Sequence, residues 1–420
     1  MHSRSTNDSR SAADVVAALG SEQGRRDPMP LFAELHRIGP VSRLTPGSSP
    51  YAFVINGYDA AQEALKDTRF HRLLSADPNP QDPVLRHLGG SMMFRDEPDH
   101  LRMRKVFQAV LTPRRLAGFE PVVEALVAEL LDELGAKQEE VVDFTDFAYR
   151  LPITVIAIFL GIPRSDVAWF KDRTQRIDEY LDLGGKEPAK LAAANRAAEE
   201  LNDYYARMIS ERRLRPRDDD RGGGAGKESD TVGSLVHALD SGTSGIDEQE
   251  LIDNLLVLVN ASFVTTMNLL TNGLEQLLAV PALIDALRND PELASSYVEE
   301  ILRHQSSVQL ISRKASTDLE LAGVAIAEGS LVLILPGAAN RDPAKHPDAD
   351  TFDPGREDLQ HLSFGAGPFF CVGAALARME GRAAFGQLFH RFPTLQLAGE
   401  PERSHSLLLR GHRSMPIRLG

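Results

Sequence analysis

The chain has 420 residues, 42% of them apolar and 25% charged, a composition that suits a folded globular protein and excludes wholesale disorder. Acidic residues outnumber basic ones by 60 to 46, a formal charge of −14 that matches poorly to the phosphate backbone of nucleic acid. The one cysteine, Cys371, excludes an internal disulfide and fits a reducing compartment.

Residues 1–27 are polar, carry Arg4, Asp8, Arg10 and Asp14, and lack the apolar run of a secretory signal, so a flexible leader is expected there. Leu31, Phe32, Leu35 and Ile38 then recur at helical spacing until Gly39-Pro40 stops them. Residues 41–55 read as a strand pair around Pro46-Gly47-Ser48-Ser49-Pro50. Residues 71–90, rich in Pro, Asp and Gly, predict a long loop. From Pro98 to about Leu160 the pattern is helical, with a strong run at Val122, Val123, Leu126, Leu130 and Leu134. Two more helical stretches flank Gly184-Gly185, and residues 215–230 (RPRDDDRGGGAGKESD) predict a solvated connection inside one domain, since no separate core pattern restarts after it.

Residues 254–274 contain no charge, which is transmembrane length. They also contain Asn254, Asn260, Asn268 and Asn272 and lack a flanking basic cluster, so they predict a buried helix rather than a membrane span. Asp247 and Glu250 have capping-box spacing. The helix they start can run to Pro281, about 30 residues or about 45 Å, enough to cross a domain. Residues 318–321, 323–326 and 331–335 carry strand signals, 336–370 are mostly irregular, and a last helix begins near Gly373. The fold class expected is mainly α with a small segregated β part, residues 28–420 forming one domain without internal repeats.

The cysteine lies in Phe364-Gly365-Ala366-Gly367-Pro368-Phe369-Phe370-Cys371-Val372-Gly373, directly before that last helix. The partial positive charge of a helix start favours thiolate over thiol, and the glycines let backbone approach something flat. From these residues alone three roles stand open: an inert buried thiol, a nucleophile with a histidine base, or a thiolate ligand to haem iron. A dinucleotide-binding loop is excluded, because position 370 is Phe and no acid follows at the required distance.

The segment resembles the haem-binding loop of the cytochrome P450 family, phenylalanine–glycine–x–glycine–x–(His/Arg)–x–cysteine–x–glycine, departing from it only at Phe369, where the family has His or Arg. Other motifs match in order. Glu300 and Arg303, by spacing alone a surface ion pair, resemble the family's Glu-x-x-Arg, and Arg356 in Phe352-Asp353-Pro354-Gly355-Arg356 stands where the family supplies a third member. His100 and Arg104, otherwise a basic helix face, resemble its His-x-x-x-Arg, whose side chains hold haem propionates. Arg313 and His361 stand where two more such contacts are expected, and 339–343 (ANRDP) is also typical. Ala261-Ser262-Phe263-Val264-Thr265-Thr266 resembles the element that crosses the distal face of haem, with Val264 in place of the family's acid and Ser262 in place of a glycine. The resemblance covers residues from about 28 to 420.

The resemblance implies a cytochrome P450 fold with the long central helix over the haem, and Cys371 as iron ligand. It makes Phe364, Gly365, Gly373 and Ala261 further haem contacts, and Thr265, with Thr266 beside it, the oxygen-activating hydroxyl. It implies a cytoplasmic, monomeric haem b monooxygenase, bound to neither membrane nor nucleic acid, that oxidises a small organic substrate in natural-product biosynthesis. Electrons would come from a ferredoxin and its reductase, docked on Arg102, Lys105, Arg114 and Arg115 unless these are only solvated charge. Val257, Asn260, Val264, Val308, Leu310 and Leu408 would line the substrate pocket, with 71–90 as its cap and the connection around Gly184-Gly185 as its lid. Because Val264 carries no proton, an atypical oxidation (coupling, cyclisation or nitration) is the alternative. A non-catalytic haem protein and a haem-free cysteine hydrolase are further ones.

Overall fold

In the computed structural model, residues 10–73, 81–137, 140–182, 187–214 and 230–420 are described. The connections around Gly184-Gly185 and over 215–229, and residues 74–80 of the expected cap, lie outside these. Within them the leader is corrected. Ser11 Oγ accepts from the Asp14 N–H and the Asp14 carboxylate accepts from the Ser11 N–H, a complete capping box that starts α1 (Ala12–Leu19), and α2 (Glu22–Arg26) follows. Val15 is fully buried in a cluster with Phe32, Leu35, Leu310 and Leu333. Residues 10–27 thus belong to the packed body; a narrow apolar stripe inside a polar segment is enough to dock a short helix.

Helices α3 (Met29–Ile38) and α4 (Tyr58–Lys66) bracket the first strands. The expected loop over 71–90 is corrected at its end: Asp82-Pro83 starts α5 (Pro83–Gly90), with proline at a first-turn position where no backbone N–H is needed. The helical region foreseen from Pro98 resolves into α6 (Asp99–Val110), α7 (Pro113–Gly135) and α8 (Phe144–Leu160). Then come α9 (Val167–Leu181), α10 (Pro188–Leu214), α11 (Thr231–Asp240), α12 (Glu248–Ala279), α13 (Pro281–Asn289), α14 (Ala294–His304), the one-turn α15 (Pro336–Ala339) and α16 (Ala374–Arg391).

The central helix, α12, opens on the foreseen capping box: Asp247 Oδ1 accepts from the Glu250 N–H at 2.8 Å and Glu250 Oε2 from the Asp247 N–H at 3.0 Å. It packs on α8, α5, α10, α14 and α16. It is long and apolar enough to cross a membrane, but 72% of its most apolar window is buried inside the protein. Every residue from 251 to 260 is buried; partial accessibility returns in mid-helix at Ala261, Ser262, Val264, Thr265 and Met267. A helix that is enclosed over ten residues and then becomes accessible in its middle borders an interior space there.

The β part is small and apart from the helices, as expected. Strands β1 (Val41–Arg43), β2 (Phe53–Ile55) and β3 (Phe70–His71) join a five-stranded sheet. Strand β4 (Val142–Asp143) lies elsewhere, β5 (Ile311–Ala315) and β8 (Leu331–Ile334) complete that sheet, and β6 (Leu319–Leu321) pairs β7 (Val324–Ile326). The sheet order is β1-β2-β8-β5-β3, with β2 and β8 parallel and the remaining pairs antiparallel. The pairing of β3 with β5 sets Phe70 opposite Ala315 and His71 opposite Lys314, which brings Arg72 and Arg313 into one neighbourhood. Strands β9 (Gln396–Leu397), β10 (Glu402–Arg403), β11 (His412–Ser414) and β12 (Pro416–Arg418) close the chain, β12 lying between β4 and β9.

Candidate active site

The cysteine loop is built by backbone geometry. Gly365 and Gly367 adopt φ of 74° and 67°, a region that disfavours any Cβ. A Cβ at Gly367 would also come within 2.8 Å of the Lys66 Cα on α4, so glycine lets the loop lie against that helix. The Cys371 N–H donates to the Phe364 carbonyl at 2.8 Å and closes the loop just before α16. The Cys371 side chain is accessible, yet burial pushes its thiol pKa up. Both hold for a side chain that lines an interior space. The Gly373 and Ala374 N–H groups and the Arg104 and Arg378 charges act the other way and favour thiolate. Phe364 lies under the Arg378 guanidinium, 4.6 Å from its ring centre.

The four predicted cationic side chains divide. Arg104 on α6 is half-buried, its pKa lowered by burial while the cysteine nearby raises it. Arg313 on β5 is buried, which lowers its pKa to about 10, and Asp96 opposes that fall. His100 is buried with Nδ1 2.9 Å from the Met92 carbonyl and Nε2 3.0 Å from that of Pro368, so its ring ties α6 to the cysteine loop. The His361 Nε2 faces Glu299 at 3.3 Å and its Nδ1 accepts from the Ser363 N–H. Glu299 also holds Arg378 at 2.6 and 2.8 Å, so this carboxylate joins the His361 ring to α16. Burial would raise the Glu299 pKa, but Arg378 and His361 hold it down, at about 2.

On α12, the Thr265 hydroxyl donates to the Ala261 carbonyl at 2.9 Å and the Thr266 hydroxyl to that of Ser262 at 3.0 Å. Both threonines thus make the ordinary back-bond to i−4. The difference between them is exposure, since Thr266 is buried and Thr265 borders the interior space. A hydroxyl whose proton is engaged keeps its lone pairs as acceptors. Val264 and Met267 of α12 pack on the same core cluster as Phe364 and Val372 of the cysteine loop.

The Glu300, Arg303 and Arg356 trio is assembled as foreseen, and burial excludes a surface pair. Glu300 and Arg303 are fully buried and joined by two hydrogen bonds of 2.7 and 2.8 Å. Arg303 also donates to the carbonyls of Asn340, Ala349 and Thr351, while Arg356 Nε reaches Glu300 at 3.4 Å. The trio clamps the irregular segment that leads to the cysteine loop onto α14.

The expected substrate residues scatter. Val308 pairs with Leu409 in an isolated bridge, and Leu408 accepts from the Gln309 N–H, so these two segments meet. Leu310 and Val257 are buried core residues, the former in the α1–α3 cluster and the latter in the main one. Asn260 donates to Asp178 of α9 at 2.7 Å, an acid the sequence did not single out. Burial raises the Asp178 pKa to about 7, and its Oδ2 and the Asn260 Oδ1 have no hydrogen-bond partner among the described residues. Helix α5 is pinned to α12 by His87 Nδ1 and Asp253 at 2.7 Å, beside a polar cavity of about 580 Å³ that contains no predicted site residue. Arg102 leaves the expected docking patch: it grips Glu250 at 2.6 and 2.7 Å and also Asp99. Lys105, Arg114 and Arg115 are exposed.

The comparisons with known proteins agree with this arrangement. The family model described as Cytochrome P450 matches residues 19–411. The chain is 34% identical to 6-deoxyerythronolide B hydroxylase of Saccharopolyspora erythraea, over 96% of this chain and 99% of that protein. It is 32% identical to the cytochrome P450 monooxygenase PikC of Streptomyces venezuelae, over 99% and 97%. A solved structure of P450BioI in complex with an acyl carrier protein ligated to hexadec-9Z-enoic acid superposes with a TM-score of 0.84 at 29% identity, covering 95% of this chain and 100% of that one. A cysteine loop at a helix start, a mainly helical body with small separate sheets and relatives aligned over nearly the whole length place this chain in the cytochrome P450 family of haem-thiolate oxidoreductases.

Proposed function

We propose that the chain is a monooxygenase that holds haem b through Cys371 and oxidises a small organic substrate in natural-product biosynthesis. Relatives named as a hydroxylase and a monooxygenase support oxygen insertion over coupling, cyclisation or nitration, over a non-catalytic haem protein and over a haem-free hydrolase. The residues suit the cofactor. An accessible sulfur lies in a glycine loop, buried or half-buried arginines flank it, and a mid-helix opening supplies the other face. The observation that carries the function is Cys371 itself, the chain's one cysteine, set in that loop with helix-start N–H groups directed at its sulfur.

Haem, which Cys371 would hold through its sulfur, would supply oxygen activation. The chain's own residues bind and orient. The Gly373 and Ala374 N–H groups and the Arg104 and Arg378 charges favour the Cys371 thiolate and oppose the burial that raises its pKa. Arg104 and Arg313 bind the cofactor's carboxylates. Thr265, its proton fixed on the Ala261 carbonyl, offers lone pairs that hold a water at the reacting position. Val264 supplies no acid, and the acid bonded to this stretch of α12 is Asp178, which accepts from Asn260 just before the mid-helix opening. The catalytic unit is a single domain that includes residues 10–27, monomeric and cytoplasmic. Electrons arrive from a ferredoxin docked on Lys105, Arg114 and Arg115.

The test is spectroscopic. The reduced, CO-bound protein should show the strongly red-shifted Soret band of thiolate ligation, and Cys371→His should abolish it while haem stays bound. A band unchanged by that substitution would sink the function.

A further inference from the structure

Glu299 directly precedes Glu300 on α14, and successive positions on a helix point about 100° apart. Glu300 turns to Arg303, while Glu299 turns to α16 and is gripped by both prongs of Arg378, at 2.6 and 2.8 Å. The same carboxylate faces His361 Nε2 at 3.3 Å. The His361 Nδ1 accepts from the Ser363 N–H at 3.2 Å, so the ring proton lies on Nε2 and is donated to Glu299. Burial raises the Glu299 pKa, but Arg378 and His361 outweigh it and hold the value at about 2, so the acid is ionised.

The guanidinium held in this way lies over the Phe364 ring, 4.6 Å from its centre, and the His361 ring flanks the same phenylalanine at 5.6 Å. Phe364 is the residue whose carbonyl closes the cysteine loop by accepting the Cys371 N–H. Arg378 is thus fixed against that loop by a carboxylate on α14 and an aromatic face of the loop itself. Against the burial that raises the Cys371 thiol pKa, its charge and that of Arg104 favour thiolate.

The Arg378 and Glu299 side chains are 29% and 25% exposed. A guanidinium at that exposure, released from its acid, swings into water, where its field is screened. Kept in place, it acts on the sulfur. A cation near an axial thiolate draws charge away from the metal and favours the reduced form, the way outer partners tune metal sites.

We propose that Glu299 is a positioning residue: by holding Arg378 on the Phe364 ring, it raises the reduction potential of the iron bound at Cys371. This rests on the haem-thiolate function proposed above.

The experiment is a dye-equilibrated redox titration of the holoprotein, read by absorbance as the ratio of ferrous to ferric protein at a fixed potential. Arg378→Met should move that ratio toward ferric by at least about twofold, the scale of one unit charge removed from a partly exposed position. Glu299→Leu should also move it toward ferric, because Arg378 is then released. Loss of an acid acts by its charge alone in the opposite sense, so this sign separates positioning from simple charge. In the Arg378→Met background nothing is left to position, and Glu299→Leu should leave the ratio unchanged or move it toward ferrous. If either variant does not accumulate as folded holoprotein, Arg378→Gln or Glu299→Met carries the same comparisons. Any of three results overturns the proposal: a ratio less than twofold from wild type in Arg378→Met, a shift of Glu299→Leu that is absent or toward ferrous, or a shift of Glu299→Leu toward ferric when Arg378 is already gone. The red-shifted CO band should persist in every variant, so its loss would instead count against the thiolate function.

Discussion

Two buried clusters of charge in this molecule are built on opposite plans. Around Glu300 the charges are matched: one carboxylate faces two arginines, and the remaining guanidinium protons end on carbonyl oxygens. Around Phe369, Arg72 and Arg313 share one aromatic plate and the influence of one carboxylate, Asp96. The first cluster closes on itself and stabilises the chain whether or not anything is bound. The second sets two like charges beside one ring, whose face orients them. Fully buried ionic groups therefore do not indicate a binding site by burial alone.

The strongest test of this contrast is Glu300→Ala, which leaves Arg303 and Arg356 without their acid. It should destabilise apoprotein and holoprotein alike by about 3–5 kcal/mol in denaturant unfolding. An effect confined to the holoprotein would erase the distinction between the two clusters.

Asp178 is a third kind of buried charge, an acid held neutral. The unfolded chain releases this proton near 3.8 while the folded chain keeps it until about 7. The folded state then binds more protons, so stability falls as pH rises between those values and is flat above them. Asp178→Asn should accordingly be more stable than wild type by roughly 2–4 kcal/mol at about pH 8, with the difference vanishing near pH 4. Thermal unfolding across that range measures it, and a gain independent of pH would show that Asp178 is ionised in the folded protein.

Arg313→Met sharpens the comparison from the other side. The apoprotein should be as stable as wild type or slightly more so, since one of two repelling charges is gone, while the melting-temperature gain on haem binding should shrink by an amount worth about 1.5–3 kcal/mol. Equal losses in both forms would move Arg313 into the self-matched class. Asp247→Ala removes only a helix cap and should cost about 1 kcal/mol in either form, a baseline for local effects. Least of all, Arg114→Glu should leave unfolding unchanged and weaken reductant binding in a salt-dependent way, because this side chain is exposed.

What could be foreseen from the amino acids follows the range of each interaction. The Asp247–Glu250 box, the central helix and the Glu300–Arg303 pair were legible because their partners lie within one helical turn. Arg356 was found only through the family pattern, since its meeting with Glu300 depends on the path of an irregular segment. The Ser11–Asp14 box and the Asp82-Pro83 start are equally local, yet each lay inside a stretch whose polar or proline-rich composition argued for loop. Arg72 and Asp178 were beyond reach: one depends on strand pairing, the other on the packing of α9 over α12. The His361–Glu299 contact was equally out of reach, because nothing in the sequence reveals that Glu299 stands beside that ring.

Glu250 uses its two carboxylate oxygens for two tasks, since Oε2 caps the start of α12 and both oxygens grip Arg102 of α6. Helix α6 carries Arg104 and α12 carries Thr265, so one anchor point ties together the two helices to which the proposed function assigns the cofactor's acid groups and oxygen. Loops and lining residues elsewhere can then diverge to admit new molecules while this frame stays unchanged. Such a division lets one scaffold acquire many specificities without rebuilding its chemistry.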